Sequence, residues 1–170
     1  MGSRSNKPSR RNPKPEPNKP KSVKIVLVGD SCTGKSCLMV NYEQQVFSED
    51  YEPNVQDVIK GPKQFEGKQI ELEIHDTSGC PSLGVNRQVC YNKTDCFMLC
   101  VALNSQASLE NVMKWRTEIR QVCPDAPIIL VGTKADLRGI PVDSVSGQDL
   151  KQKSDDMGLQ DFCETSAKNW

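Results

Sequence analysis

The sequence predicts an α/β fold with a mostly parallel sheet flanked by helices, and three observations lead to this class. Short apolar runs alternate along the chain with segments of helical periodicity. Several of these runs are apolar on both faces, as strands of a parallel sheet covered on both sides are. A glycine-rich stretch, GDSCTGKS at Gly29–Ser36, follows the first run directly. In such folds ligands bind at the carboxyl ends of the strands, so we expect the functional site there.

The elements follow in chain order from residue 23. Predicted strands are VKIVLV, QIELEIHD, DCFMLCVAL, PIILVGT and FCETSA. Predicted helices are GKSCLMVNYEQQVF, SLENVMKWRTEIRQVC and SGQDLKQKSDDMG. In the middle helix we expect Ser108 as the N-cap. Its positions near helical spacing are Leu109, Val112, Met113, Arg116 and Ile119. The segment YEPNVQDVIKGP is predicted to be a loop because Pro53, Gly61 and Pro62 interrupt it.

The first 22 residues differ in composition from the rest of the 170-residue chain. They contain seven Lys or Arg residues against Glu16 alone, hence a net charge of +6, and five prolines. The remaining residues carry a net charge of −6, so the whole chain is formally neutral. A segment with so little apolar surface cannot offset its ordering entropy, and we expect residues 1–22 to be a disordered basic tail. We favour a solubilising leader over a segment that binds anionic lipid or nucleic acid, and we expect no nucleic-acid partner.

Eight cysteines are scattered along the chain without any C-x-x-C spacing, which points to a reducing compartment rather than a disulfide scaffold. The single histidine, His75, supplies no zinc cluster. No run approaches the roughly 20 apolar residues that a membrane span needs. These features favour one soluble domain over residues 23–170.

The stretch Gly29–Ser36 has the spacing G-x-x-x-x-G-K-S of a loop that cradles phosphates. Its successive backbone N–H groups can form an anion nest. Lys35 is placed to reach β- and γ-phosphates, and the Ser36 hydroxyl is a natural Mg²⁺ ligand. A strand before the loop and a helix after it are the context that this motif needs. The expected phosphate-binding residues are Gly29, Ser31, Cys32, Thr33, Gly34, Lys35, Ser36 and Cys37.

The motif TKAD, Thr133 to Asp136, predicts which base is bound. The carboxylate of Asp136 can accept two hydrogen bonds from the N1–H and N2–H₂ edge of guanine. Adenine has no such donor pair, so an unpaired carboxylate disfavours it by about 1–3 kcal/mol. The stem of Lys134 can pack across the base.

Two shorter motifs complete the predicted site. In ETSAK, which ends at Lys168, backbone N–H groups around Ser166 and Ala167 can donate to guanine O6, and the small Ala167 side chain keeps the site open. In DTSG, Asp76 can hold Mg²⁺ through water, and the N–H group of Gly79 can contact a γ-phosphate. DTSG follows a predicted strand and lies between the phosphate loop and TKAD.

The order GDSCTGKS, DTSG, GTKAD, ETSAK resembles the Ras superfamily of small GTPases, over about residues 23–168. The stretch VCPDAPIILVGTKADLR looks like the Rho/Rac branch, whereas GDSxxGKS looks more like Rab. The extra helix that Rho proteins insert between TKAD and ETSAK is expected to be missing here. The resemblance implies a G domain with a six-stranded sheet. Because the family has one more helix after ETSAK, we expect the G domain of residues 23–170 to be truncated at its C-terminus.

The resemblance also implies ligands and roles. It implies GTP or GDP with Mg²⁺, Phe47 beside the guanine, and Tyr51 over the phosphates. Mg²⁺ would be held by Ser36, Asp76 and the first-switch residue Asn54. The residues implied in catalysis are Lys35, Gly79 and Cys80. Effectors and regulators, among them an exchange factor and a GTPase-activating protein, would bind through the switch loops 47–58 and 76–91.

Three features depart from the family pattern. Asn54 replaces a threonine that coordinates Mg²⁺, and Cys80 replaces the glutamine that orients the attacking water. Ser31 and Cys32 add bulk to the phosphate loop. Since a thiol is a weak hydrogen-bond partner, we expect nucleotide binding to survive and hydrolysis to be slow. We expect Cys32 and Cys80 to be two independent residues, with a disulfide between them as the alternative.

The sequence therefore predicts a GTP/GDP molecular switch in signalling with slow hydrolysis. The alternative is a pseudo-GTPase, an interaction module that binds guanine nucleotide without useful hydrolysis. A P-loop kinase or ATPase is disfavoured because TKAD has no place in one. No prenylatable C-a-a-X ending is visible. We expect a cytoplasmic protein, at the cytoplasmic face of a membrane if the natural chain is longer.

Overall fold

The computed structural model describes residues 21–48, 57–140 and 144–169. The strands are β1 Lys21–Val28, β2 Val58–Phe65, β3 Lys68–Asp76, β4 Cys96–Ala102, β5 Ile128–Thr133 and β6 Asp161–Glu164. The helices are α1 Lys35–Gln44, α2 Gly84–Val89, α3 Gln106–Glu110, α4 Val112–Val122 and α5 Gly147–Asp156, with short 3₁₀ helices at Pro81–Leu83 and Ala135–Leu137. The strands form one sheet in the order β2-β3-β1-β4-β5-β6. Because β2 is antiparallel to β3 and the other neighbours are parallel, the predicted α/β class and mostly parallel six-stranded sheet are confirmed.

Apolar side chains fill both sides of the sheet. The larger cluster includes Phe97 and Leu99 of β4, Leu130 of β5 and Trp115 of α4. The smaller cluster, under α1, contains Leu27, Met39 and Ile74. Helices therefore cover both faces of the central strands, which explains why those strands are apolar at successive positions.

The predicted middle helix is divided into α3 and α4, and Ser108 is not its N-cap. Ser108 lies inside α3, where its hydroxyl accepts the N–H group of Ala102 at 3.0 Å and donates to the carbonyl of Ser105 at 2.7 Å. The serine therefore ties the helix to the end of β4 instead of capping it. Met113 is about half exposed, contrary to the expected core spacing. The buried residues of α4 are Val112, Trp115 and Ile119.

Part of the predicted loop YEPNVQDVIKGP is the edge strand β2. A tight hairpin through Glu66 and Gly67, both with positive φ, joins β2 to β3, as type I′ turns do. Gly61 and Pro62 lie within β2. Proline is tolerated there because one edge of an outer strand has no ladder partner. Over Val58–Pro62 the loop prediction was wrong, because Gly61 and Pro62 were interpreted as loop signals without knowledge of the edge position; residues 51–56 of the predicted loop, with Pro53, lie outside the described residues.

The two ends of the chain bear on the predicted domain boundaries. Strand β1 begins at Lys21, inside the segment assigned to the tail, while residues 1–20 lie outside the described residues. The described residues 165–169, which follow β6, form no helix. Within the described ranges, no helix is both long enough and apolar enough to cross a bilayer.

Candidate functional site

The phosphate loop, residues Gly29–Ser36, connects the end of β1 to the start of α1. Gly29 and Gly34 have φ angles of 140° and 84°, which L-residues rarely adopt. A Cβ on Gly29 would lie 2.3 Å from the carbonyl oxygen of Cys100, so only glycine fits. Cys32 also has a positive φ, and Ser31 and Cys32 are exposed. The bulk expected from these two side chains is thus directed to solvent at the rim of the loop.

Lys35 is buried under the phosphate loop. Its ammonium donates to the carbonyl oxygens of Gly29 at 2.9 Å and Asp30 at 2.6 Å. Burial lowers the pKa of Lys35, and the nearby Cys100, Asp76 and Asp30 only partly oppose this shift. In the described residues the ammonium also contacts the hydroxyl of Thr33 at 3.4 Å, so all of its hydrogen-bond partners are neutral oxygens, and such a buried cation suits the approach of a polyanion.

Ser36 and Asp76 lie side by side at the start of α1 and the end of β3. The Ser36 hydroxyl donates to Oδ2 of Asp76, while Oδ1 of Asp76 is buried and has no hydrogen-bond partner among the described residues. Burial raises the pKa of Asp76, opposed by the Ser36 hydrogen bond and by Lys35. A hydroxyl beside an unpartnered carboxylate oxygen is the donor set that Mg²⁺ prefers, so these residues fit the metal. Asn54, the third expected ligand, lies outside the described residues.

The segment that follows Asp76 lies directly on the phosphate loop. Thr77 donates to the carbonyl of Leu27 at 2.6 Å. A Cβ on Gly79 would lie 2.2 Å from the backbone nitrogen of Ser31, so this close approach requires glycine. Cys80, the next residue, is half-buried, and its Sγ lies 3.1 Å from the hydroxyl of Ser82. That hydrogen bond lowers the pKa of the Cys80 thiol.

A cleft of about 260 Å³ opens at the carboxyl ends of β5 and β6. We call it the base pocket; its lining residues include Gly34, Cys37, Leu38, Phe47, Thr133, Lys134, Asp136, Leu137, Ala167 and Lys168. The Ser166 hydroxyl donates to Oδ1 of Asp136 at 2.6 Å. The ammonium of Lys168 lies 5.9 Å from the centre of the Phe47 ring. Thr133 bonds the carbonyls of Thr33 and Val101, which joins this pocket to the phosphate loop.

The sequence-predicted residues thus occupy two connected ends of one site. The phosphate end brings the loop together with Asp76, Gly79 and Cys80, and the base end brings TKAD together with ETSAK and Phe47. Residues 24–170 match the family model described as the Ras family. The chain belongs to the Ras family. It is therefore a GTP-binding small GTPase in the general sense of that family. Tyr51, expected over the phosphates, lies outside the described residues.

In this Ras-family chain, sequence reasoning missed a buried cluster that supports residues 76–91. The guanidinium of Arg87, on α2, donates to the carbonyls of Ser78 at 2.6 Å and Cys80 at 3.2 Å. It also pairs with Glu118 and lies 4.5 Å from the centre of the Trp115 ring. No local sequence pattern predicts that Arg87 makes these contacts, because it is a single basic residue in VNRQVCY.

The same cluster reaches the phosphate loop. The indole N–H of Trp115 donates to Oδ1 of Asp30 at 2.8 Å, and the amide of Asn111 donates to Oδ2 at 2.8 Å. At the other end of α2, the ammonium of Lys24 bonds the carbonyl of Cys90 at 2.6 Å. The segment of residues 76–91 is therefore held at both ends by contacts within the protein.

Proposed function

We propose that this Ras-family member is a GTP/GDP molecular switch that binds nucleotide with Mg²⁺ and hydrolyses GTP slowly. One observation carries the proposal. Gly79 lies against the phosphate loop at Ser31, so its neighbour Cys80 is next to the place where a γ-phosphate would lie. The thiol there is hydrogen-bonded to Ser82, and a thiol is a weak partner for a water molecule.

Binding is assigned to groups that the chain retains. The N–H groups of the phosphate loop and the ammonium of Lys35 hold the phosphates. Ser36 and Asp76 hold Mg²⁺, which neutralises negative charge on the phosphate oxygens when it is bound. Asp136 selects guanine through two hydrogen bonds. These assignments rest on the residue types and on their positions at the two ends of the site.

Slow hydrolysis follows from what catalysis requires in this reaction. The chemistry depends on positioning an attacking water and on stabilising charge. Cys80 supplies no side-chain group that fixes the water, and Asn54 offers an amide oxygen where the family has a hydroxyl. We therefore expect the protein to retain GTP longer than a typical family member.

The test is single-turnover hydrolysis on purified protein whose bound nucleotide has been identified. The parent should hydrolyse GTP more slowly than the roughly 10⁻⁴ s⁻¹ of Ras-type intrinsic hydrolysis. The variant Cys80→Gln/Asn54→Thr should be faster than either single variant. Ser82→Ala, which removes the thiol's partner without adding a water ligand, is the matched control and should leave the rate low. A parent rate at or above the Ras-type value would refute the proposal.

A second candidate, a pseudo-GTPase that presents one fixed surface, is favoured by the Arg87 cluster. Contacts that tie Ser78 and Cys80 to α2 and α4 restrain a segment that must move in a switch. Hydrogen exchange of residues 76–91 separates the two candidates. A switch shows different protection with GDP and with a non-hydrolysable GTP analogue, whereas a pseudo-GTPase shows the same protection with both.

The proposal also covers the binding partners of the protein and its location in the cell. Effectors, an exchange factor and a GTPase-activating protein would bind through loops 47–58 and 76–91. Two stretches of the sequence favour different branches of the superfamily. VCPDAPIILVGTKADLR favours the Rho/Rac branch, and GDSxxGKS favours the Rab branch. We place the protein in the cytoplasm, because scattered cysteines without a framework spacing suit a reducing compartment.

A further inference from the structure

Asn41 connects α1 to the base pocket over 126 positions of sequence. It lies one turn after Cys37 and Leu38, which line that pocket, and it is only 4% exposed. Its side-chain amide donates to the carbonyl oxygen of Ala167 at 2.9 Å. This bond joins a helix that begins in the phosphate loop to the ETSAK segment, at the opposite end of the site.

Burying the side-chain amide of Asn41 costs free energy that an apolar side chain at the same position would not. A buried amide loses its hydration, and it is tolerated where its hydrogen bonds are replaced. Here the amide oxygen, Oδ1, is buried without a partner among the described residues. The bond to Ala167 is thus the one compensation that the structure shows. A leucine of similar size would avoid that cost, so the amide serves the contact with Ala167.

The contact completes the attachment of the ETSAK loop. Its first part is already fixed, since Thr165 donates to the carbonyl of Gly132 at 2.7 Å and Ser166 bonds Asp136. Ala167 itself lines the base pocket. In the described residues, its carbonyl is held from α1 by Asn41. Loss of that bond would free the peptide units that the proposed function assigns to guanine O6.

We propose that Asn41 is a positioning residue of the base pocket, which slows nucleotide release by holding Ala167 in place beside the base. The inference rests on the proposed guanine-nucleotide binding. Helix α1 carries Lys35 and Ser36 at its start and Asn41 about one and a half turns later. One rigid element therefore supports both the phosphate contacts and the base contact.

The experiment measures release of a fluorescent GDP from Mg²⁺-loaded protein after addition of excess unlabelled GDP. Asn41→Leu should release GDP about tenfold faster, the equivalent of one lost hydrogen bond. Asn41→Gln keeps the amide and should recover part of the slow release. Gln44→Leu removes an exposed amide from the same helix and should leave the rate unchanged. Association rates should change little in all three variants.

A second measurement separates positioning from loss of structure. The diphosphate of 6-thioguanosine keeps the N1–H and N2–H₂ donors of guanine and carries sulfur, a weaker hydrogen-bond acceptor, in place of O6, so it reports the contact near Ala167. The parent should bind GDP more tightly than this analogue, and Asn41→Leu should reduce that preference. Asn41→Asp, which places a carboxylate beside the Ala167 carbonyl, tests the contact with a side chain of nearly equal volume. It should accelerate release at least as much as Asn41→Leu.

The outcomes are distinct. If the parent does not bind GDP, the proposed function fails. If the parent binds GDP and folded Asn41→Leu and Asn41→Asp proteins keep the parental release rate and base preference, the role of Asn41 is refuted. If Asn41→Leu does not fold, Asn41→Asp and Asn41→Gln decide between these results by the same two measurements.

Discussion

Arg87 and Glu118 form a two-point ion pair between helices α2 and α4. Nε and Nη2 of Arg87 each lie 2.9 Å from a carboxylate oxygen of Glu118. The side chains are 3% and 15% exposed. The hydroxyl of Tyr91 donates to the same carboxylate at 2.7 Å. Because fork-to-fork geometry fixes both planes, this pair orients α2 on the body of the protein.

Breaking this pair should be costly. Removing one partner leaves the other charge buried and uncompensated, so Arg87→Ala or Glu118→Gln should each lower the free energy of unfolding by about 3 kcal/mol. Urea denaturation measures this as a lower midpoint at an unchanged m value. Lys151→Ala breaks the exposed pair with Asp155 and should cost less than about 1 kcal/mol. The double variant Arg87→Met/Glu118→Leu should lose less free energy of unfolding than the sum of the losses of the two single variants. Additive losses would show that the two residues are not energetically coupled.

The same pair predicts acid sensitivity. Burial alone would raise the pKa of Glu118, but hydrogen bonds from Arg87 and Tyr91 outweigh it and hold the pKa below its usual value. The unfolded carboxyl, with a pKa of about 4.3, therefore binds protons first. The contribution to stability is complete above about pH 4.3 and is lost as the pH falls toward the folded pKa. Urea titrations between pH 3 and 7 should show a smaller loss for Glu118→Gln than for the parent. Equal losses would assign the acid sensitivity to other carboxyls.

Asp136→Asn should change the preferred base. Xanthine carries a carbonyl where guanine has its amino group, so an amide donor at position 136 should weaken GDP binding and improve XDP binding. The guanine preference of about 1–3 kcal/mol should be lost. Competition binding of the two diphosphates measures the change, and Asp125→Asn, at an exposed loop position, is the control. A variant that binds GDP as the parent does and gains nothing for XDP would remove Asp136 from the base contact.

Thiol reactivity should follow burial and pKa. The Ser82 hydrogen bond lowers the pKa of Cys80, whereas burial raises the pKa of Cys100 to about 12. Because the thiolate is the nucleophile, iodoacetamide should modify Cys80 well before Cys100, and Ser82→Ala should slow the reaction at Cys80. Peptide mass spectrometry measures both rates.

Cys32 and Cys80 are free thiols in the structure. We therefore expect no disulfide-linked Cys32–Cys80 peptide after purification without reductant. Detection of such a peptide would contradict the prediction that the two residues are independent.

The local motifs could be placed from sequence because their chemistry is contiguous. The phosphate loop needs glycines, Lys35 and Ser36 within eight positions, between a strand and a helix. Phosphate and base ends could also be assigned to one edge of the sheet, because the carboxyl ends of parallel strands meet there. Asp30, by contrast, belongs to the same motif, yet its carboxylate is bound by Trp115 and Asn111.

The contacts that sequence could not predict are tertiary. Arg87, Glu118 and Asn41 lie in segments whose periodicity reports only which face is buried. Their partners are 31 and 126 positions away, and spacing carries no information about such distances. The strand β2 was missed for a related reason, since the tolerance for Pro62 depends on its place at the sheet edge.

Trp115 gives this protein a built-in optical probe. Its side chain is buried, with residue Trp115 only 1% exposed; it is hydrogen-bonded to Asp30 of the phosphate loop and lies beneath the guanidinium of Arg87 on α2. Emission from an indole depends on the polarity of its surroundings and on nearby charges. Movement of the phosphate loop or of α2 should therefore change the fluorescence of Trp115. The other tryptophan, Trp170, can be replaced by phenylalanine. Stopped-flow fluorescence of Trp170→Phe would then follow nucleotide loading and release in real time, without a dye on the protein or on the nucleotide.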